Sequence, residues 1–419
     1  MPIIQHQHHR NENIIWINKA LLVAFFTIPH FTEAMYIASM PNIVGAMHTT
    51  VNITQALSGV GFVGFSLGIL MFGRLSDIFG RKPIMIVGLC LYSVFTGYIF
   101  LLHDINALFL CRLLQSFGAS VGSCVGHAIT RDLFKGRKLS RIYSLITCVM
   151  AFLPALSSTI GSFVAAIYGW EYNMLILEIF GITMLFLTIL FVPETNKSTN
   201  AAMAIPYSKI LAKIIRDKKV WCYVIIMSCT NGMLYGFFIE APFIIMRRFQ
   251  LYPIHYSLIL LLMSSMTFSV TIFNVKLTRI IHAGVIMRYG AFVSLASNIL
   301  LLIVVMLFDT SVNLIFLFLI ILSRCIFVVA HGFTAPNCMR FVVEDYTEFS
   351  GTAGALTGFA CNILVAVSNT AVAVFHRDVN LMNFSIQMVI LSIIIIILIE
   401  VLRYLYNKEG KDIITSNAK

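Results

Sequence analysis

Two residues stand out by where they sit: Glu33 in "PHFTEAMYIASMP" and Arg112 in "FLCRLLQSFG", each a charge inside an otherwise apolar stretch. A carboxylate removed from water is favoured as the neutral acid, and a nearby cation favours the anion again. A group balanced in this way can accept a proton from one side of a barrier and release it to the other. The chemistry indicated is proton carriage, with Glu33 as the first candidate. Arg112 is a permanent charge, so a fixed Glu33–Arg112 ion pair that only joins two helices is the competing reading. Glu240 in "FIEAPFI" is a third charge of this kind, read either as a substrate or proton group or as a helix-end carboxylate that reaches water. Pro242, two residues on, is placed to break that helix locally. Glu178 and Arg324 are also intramembrane, and structural pairing is the first reading for both. His127 and His331 read as satisfied core residues, and Glu400 is assigned no role. No zinc-ligand spacing, phosphate-cradling loop or nucleophile–base pair is visible. The expectation is therefore no enzyme, no metal and no cofactor.

A second cluster is "GRLSDIFGRKP" (Gly73–Pro83), which interrupts two apolar runs with charge. Gly73 and Gly80 permit close approach and a tight turn. Asp77 is placed to pair with Arg74 or Arg81, and Pro83 suits the opening of a helix. Any short loop facing the cytoplasm explains Arg81 and Lys82, but not the glycines and the acid at this spacing.

The elements that position these residues follow from composition. The chain is 59% hydrophobic and 11% charged, too apolar for an ordinary soluble domain. Twelve runs have the length of a membrane-crossing helix: about 16–40, 53–73, 83–102, 106–131, 142–168, 172–192, 220–246, 254–277, 284–308, 312–339, 351–375 and 380–406. The fold class is an all-α polytopic membrane protein. The first run holds Pro29 and Glu33 and lacks a cleavage site, so it reads as a retained anchor. With both termini cytoplasmic, the basic residues fall on the cytoplasmic side or in the tails. The exceptions are Arg247, Arg248 and Arg377 outside, and Arg112 and Arg324 within the membrane. That asymmetry is the positive-inside pattern, and it accounts for the net charge of +11 without a nucleic-acid partner. The nine cysteines all fall inside predicted helices and read as packing residues. "HQHHR" (His6–Arg10) reads as a solvated tail rather than a metal chelator.

The longest polar break, Pro193–Lys219, divides the chain into six-helix blocks at 1–192 and 220–419, joined by a basic cytoplasmic linker over 193–219. Apolar spacing in Tyr207–Ile215 predicts a surface helix within it. "FTEAMYI" (Phe31–Ile37) is similar to "FIEAPFI" (Phe238–Ile244), and "RLSDIF" (Arg74–Phe79) to "KLTRII" (Lys276–Ile281), at offsets of 207 and 202. Parallel six-helix repeats with a site between them describe a secondary transporter.

The loop resembles the major facilitator superfamily signature G-x-L-[AS]-D-[RK]-x-G-R-[RK]: Gly73, Leu75, Ser76, Asp77, Gly80, Arg81 and Lys82 match, and Ile78 departs from it. The resemblance implies two pseudo-symmetric six-helix bundles. It also implies that the loop is a conformational latch, with Asp77 facing the N-terminus of helix 11 at "SGTAGALTG" (Ser350–Gly358) when the cytoplasmic side is closed. Further motifs resemble the Bcr/CflA-type drug:proton antiporters. They are "TEAMYIASMPNI" (Thr32–Ile43), "CRLLQSFGAS" (Cys111–Ser120), "AITRDLF" (Ala128–Phe134), "FLPALSSTIGS" (Phe152–Ser162), "VPET" (Val192–Thr195) and "GTAGAL" (Gly351–Leu356). In the helix 5 motif only Pro154 and Gly161 survive, with Ser158 and Ser162 at the second proline and second glycine. The resemblance places Arg112 in the same half as Glu33, able to tune it. Tyr36, Gln115, Pro154, Tyr235 and Glu240 are the candidates for the substrate cavity, with Phe62 and Phe65 beside them.

The function expected is proton-driven export of a small organic compound by alternating access, from a monomer in the bacterial inner membrane with protons and lipid as its other partners. An uptake permease for an amino acid, sugar or metabolite is the alternative, kept open by the degraded helix 5 motif. A non-transporting scaffold or sensor is the third reading, and the retained latch and proton-site candidates argue against it.

Overall fold

The computed structural model describes residues 2–102, 104–196, 214–308, 313–346, 350–375 and 381–408. Side chains are described from Lys19 onward, except at 343–345, 350–353, 372 and 375. The described elements are α1 (Pro2–Ala46), α2 (Val51–Phe79), α3 (Arg81–Phe100), α4 (Ile105–Leu133), α5 (Gly136–Ile167) and α6 (Glu171–Phe191), then α7 (Lys218–Pro242), which continues as a π-helical segment (Phe243–Arg248). After these come α8 (Pro253–Leu277), α9 (Ala283–Phe308), α10 (Leu314–Asp345), α11 (Ser350–Phe375) and α12 (Leu381–Lys408). Twelve helices among the described residues are long and apolar enough to cross a membrane. In hydrocarbon every backbone polar group must be satisfied within its own segment, which is why apolar runs of this length are helices.

Short polar residues start several of them. The side chains of Thr50, Asp104, Asn313 and Asp217 each accept a backbone N–H from the first turn of α2, α4, α10 and α7, supplying the partners that a helix start lacks. Successive helices run antiparallel. One end of the bundle, the basic end, therefore carries the α2–α3 and α4–α5 connections with Arg74, Arg81, Lys82, Arg131, Lys135, Arg137 and Lys138.

α2 packs on α4, α3 on α4 and α6, and α1 on α5; α9 packs on α10 and α12, and α7 on α10, α11 and α12. Contacts between these two groups run along α2 and α11, α5 and α8, and α1 and α7. Among them, Ile239 and Phe243 of α7 and its π-helical continuation join Tyr36, Ile37, Met40, Ile43 and Val44 of α1 in one buried cluster. This cluster seals the end opposite the basic end. α2 and α11 touch near the same seal, where Phe62 meets Cys361, Val365 and Ala366. Towards the basic end, no described atom lies within 4 Å of where a Cβ would stand at Gly73 or at Gly358.

Two expectations change, and a third falls outside the described residues. The Gly73–Pro83 connection, read as a short loop between runs ending at 73 and starting at 83, narrows to a single-residue turn: α2 runs to Phe79 and α3 restarts at Arg81, with Gly80 between them at φ +100°. That left-handed value is one that glycine adopts without strain. The His6–Arg10 stretch, read as a solvated tail, belongs to the helical N-terminal extension of α1, and its side chains lie outside the described residues. The surface helix expected in Tyr207–Ile215 lies almost wholly outside them too.

Candidate functional site

Glu33 projects from the middle of α1 and Arg112 from the second turn of α4, and the two form an ion pair through Glu33 Oε2 and Arg112 Nη2. The guanidinium is fully buried. It stacks over the Tyr36 ring, 4.3 Å from the centroid, an arrangement attractive for a cation. Its Nη1 donates to Gln115 Oε1 at 2.8 Å, one turn along α4. Gln115 Nε2 donates to Thr96 Oγ1 at 2.9 Å, Thr96 Oγ1 donates to the Tyr92 carbonyl, and the Tyr92 hydroxyl meets Thr32 Oγ1 at 2.8 Å. A polar network thus ties α1, α3 and α4 around one ion pair at mid-depth. Gly61 of α2 makes room for it: a Cβ there would stand 3.2 Å from Arg112 Nη2 and 3.3 Å from Glu33 Oε2.

Glu33 differs from its partner in access. Its side chain retains 17% exposure against none for Arg112, and it lines a cavity of about 380 Å³ between the two groups of helices. Phe62 and Phe65 of α2, Pro154 of α5, Leu234, Tyr235 and Phe238 of α7, and Leu260 of α8 form its apolar wall. Phe62 and Tyr235 meet edge-on across it, with ring centroids 4.9 Å apart. Thr32, Ser116, Ser158, Ser264, Thr267 and Asn362 add neutral polar groups, and Glu33 is the one carboxylate among the lining residues. At Ile37 the wall adjoins the cluster that seals the opposite end. An apolar, aromatic pocket with few polar groups suits an amphipathic organic molecule.

Of the five cavity candidates, Pro154 and Tyr235 line the wall. Tyr36 and Gln115 do not; both are fully buried behind it, where they hold Arg112. Glu240 is not on the wall either, nor does it reach water: it is fully buried and accepts a hydrogen bond of 3.0 Å from Gln55 Nε2 of α2. Glu178 lies against Gly97 of α3 with no cation beside it among the described residues, so the pairing expected there is absent. Arg324 is paired with an amide, Asn298, rather than with a carboxylate. Glu400 bonds Arg288 at 3.0 Å, joining α12 to α9. His127 Nδ1 meets the Tyr143 hydroxyl and His331 Nε2 meets Asn231 Oδ1. The nine cysteines are all free thiols.

The cluster at the basic end is bound into its own half. Arg81 pairs with Asp77 at 2.5 Å and Asp132 at 3.3 Å, and its Nη1 donates to Ser76 Oγ at 2.7 Å. Glu194, beyond α6, accepts the backbone N–H groups of Arg81 at 3.0 Å and Lys82 at 3.1 Å. Lys82 Nζ donates to the Ile189 carbonyl, and Asn196 Nδ2 donates to the Asp77 carbonyl at 2.8 Å. Gly80 allows this, since a Cβ there would stand 2.6 Å from Glu194 Oε2. The "VPET" and "RDLF" motifs supply Glu194, Thr195 and Asp132 to this cluster, a role that their place in the sequence did not disclose. The side chains at the start of α11, where the latch partner of Asp77 is expected, lie outside the described residues.

The profile of the Major Facilitator Superfamily matches residues 21–369. The chain belongs to that superfamily. A relative from Rickettsia bellii (strain RML369-C), described as an uncharacterized transporter, is 33% identical over 377 residues, covering 89% of this chain and 93% of its own. A bicyclomycin resistance protein homolog from Haemophilus influenzae is 23% identical over 84% of this chain and 87% of its own. Among solved structures, a D-xylose–proton symporter superposes with a TM-score of 0.74 at 12% identity, over 93% of this chain and 97% of that one; at that identity the likeness is one of fold. This superfamily member is a multi-pass membrane transporter for a small molecule, not an enzyme.

Proposed function

We propose that this transporter exports a small amphipathic organic compound in exchange for protons. One observation carries the reading: a partly accessible carboxylate, Glu33, sits on the wall of an aromatic cavity while its arginine partner is wholly buried. Proton uptake by Glu33 weakens its hold on Arg112 and alters the charge that a cationic or dipolar guest meets. The proton and the compound thus compete for one group. Relatives named for drug resistance support export of this kind and a place near the Bcr/CflA branch. The basic end is proposed as cytoplasmic, in the inner membrane of a bacterium, with both termini on that side. The residues on either side of 193–219 act as two six-helix bundles that rock about the cavity. The sealed opposite end, and the open Cβ positions at Gly73 and Gly358 among the described residues, support reading this state as inward-facing. The Asp77–Arg81 cluster then serves as a latch that engages α11 when this end closes. The working unit is a monomer, and the proton gradient is its only energy source.

The test uses purified protein in proteoliposomes with a trapped pH dye and an imposed pH gradient, across a panel of drugs, siderophores and amino acids. Wild type is expected to move protons opposite to at least one compound, and Glu33→Gln, which keeps size and one hydrogen-bonding oxygen, is expected not to. Protons and compound moving in the same direction would make the protein an uptake permease. No proton movement with any compound would remove the coupling role of Glu33.

A further inference from the structure

α4 and α10 each bury one arginine completely, Arg112 and Arg324. The two are 212 positions apart, close to the 207 that separate Glu33 from Glu240. The first and fourth helices of each six-helix set therefore carry an acid and an arginine, but the two sets are in different conditions. Glu33 holds Arg112. Among the described residues Arg324 has neutral partners only: Nη2 donates to Asn298 Oδ1 at 2.6 Å, Nε reaches Ser323 Oγ at 3.4 Å, and Nη1 has no hydrogen-bond partner. Glu240 is instead bonded across the interface, by Gln55 of α2. A buried guanidinium without a carboxylate is costly because it cannot shed its proton. Such a group is stabilised by any motion that brings an anion to it.

α7 connects Glu240 to the surroundings of Arg324. Asn298, which holds Arg324, touches Met233 Sδ of α7 at 3.3 Å. Met233 and Glu240 are seven residues apart, so they share a face of α7 and stand roughly 10 Å apart along its axis. The segment beyond Glu240 supplies slack, since Pro242 has no N–H to donate and the chain continues as a π-helix over Phe243–Arg248.

We propose that Glu240 is a second coupling carboxylate that exchanges partners, bonding Gln55 while the end opposite the basic end is sealed and Arg324 when that end opens. The loss of a contact across the seal is then offset by pairing of the buried charge. Opening gives the second set of helices the acid–arginine pair that the first set holds in the sealed state. The proposal rests on the alternating-access reading above.

Its test reads accessibility rather than transport, so it fails separately from the export reading. Val44 of α1 belongs to the cluster that seals this end. The full-length protein carrying Val44→Cys is placed in nanodiscs and exposed to a membrane-impermeant maleimide, with the same protein lacking the reporter as background for the native cysteines. Gln55→Ala is expected to raise labelling about fivefold, the population change that one ordinary hydrogen bond produces. Arg324→Gln is expected to lower labelling by a similar factor, and Arg324→Lys, which keeps the charge, to preserve it. Glu240→Arg combined with Arg324→Glu is expected to recover labelling that either single change loses. Unchanged labelling in Gln55→Ala, or equal labelling in the Lys and Gln variants at 324, would overturn the proposal. The comparison of Lys with Gln decides the matter even where the charge swap does not fold.

Discussion

At Gly61 and Gly64, one turn apart on α2, the same residue type does two different things. A Cβ at Gly64 would overlap the Leu113 carbonyl oxygen, which is α4 backbone and cannot turn aside. Gly64→Ala must therefore separate two helices that otherwise pack closely, at a cost of about 1–3 kcal/mol. It is expected to lower the thermal unfolding temperature in detergent clearly. A Cβ at Gly61 meets only the ends of Arg112 and Glu33, at 3.2 and 3.3 Å, and those side chains can give way. Gly61→Ala is expected to unfold near the wild-type temperature yet lose roughly tenfold to a hundredfold in proton-coupled transport, since small displacements of a working group cost about that much. Equal losses of stability in the two variants would show that the ion pair is only a strut. Glu33 and Arg112 are legible in the sequence because a charge in an apolar run is rare and costly. Thr32, Tyr92 and Thr96 are not, because a hydroxyl in a helix can satisfy itself on a carbonyl one turn back, as Thr32 and Thr96 also do. Gln55 is hidden for a related reason: nothing local marks it as the residue that meets Glu240 from another helix.

At the level of helices, the short apolar runs predicted the number and order of the spans, but not where each helix stops. α2 continues through "GRLSDIF" to Phe79, and α5 begins at Gly136, well before the predicted 142. Hydropathy marks where the hydrocarbon ends, whereas backbone hydrogen bonding continues into the headgroup layer until a residue such as Gly80 turns it. The start of α3 then has an acid from a distant part of the chain. Burial pushes the Glu194 carboxyl up, but bonds from the backbone N–H groups of Asn196, Arg81, Lys82 and Thr195 outweigh it, leaving the group below its ordinary value. A carboxylate lowered on folding contributes its full stabilisation above its unfolded pKa near 4.5 and loses it as the pH falls through the depressed folded value. Glu194 lies at the surface, so the contribution is on the order of 1 kcal/mol, that of an ordinary helix cap. Melting curves in detergent are expected to place Glu194→Gln slightly below wild type at pH 7, with the gap closing at or below pH 4. A gap that persists in acid would mean that the amide fails for steric reasons instead.

Across the whole molecule, the ends of α2 and α11 are the places to test whether this transporter works by rocking. Near the sealed end the helices are in contact, and a Cβ at Gly59 would overlap Thr370 Oγ1. Near the basic end Gly73 and Gly358 meet no described atom within 4 Å of a Cβ position, although Gly73 opens the latch motif. A glycine that touches nothing in one state is explained if it is needed in the other. Closure of the basic end brings α2 towards α11, and only residues without side chains let the two backbones meet there. Gly73→Leu is therefore expected to unfold at the wild-type temperature, since it fills empty space, and to bind substrate from the basic side. Its turnover in proteoliposomes is expected to fall at least tenfold, the effect of raising one conformational step by ~1.4 kcal/mol. Gly59→Leu is expected to do the reverse, destabilising the described state and admitting the impermeant maleimide at Val44→Cys. Full turnover in Gly73→Leu would place the closing contact on other helices, with α5 and α8, whose residues also line the cavity, as the next pair to test.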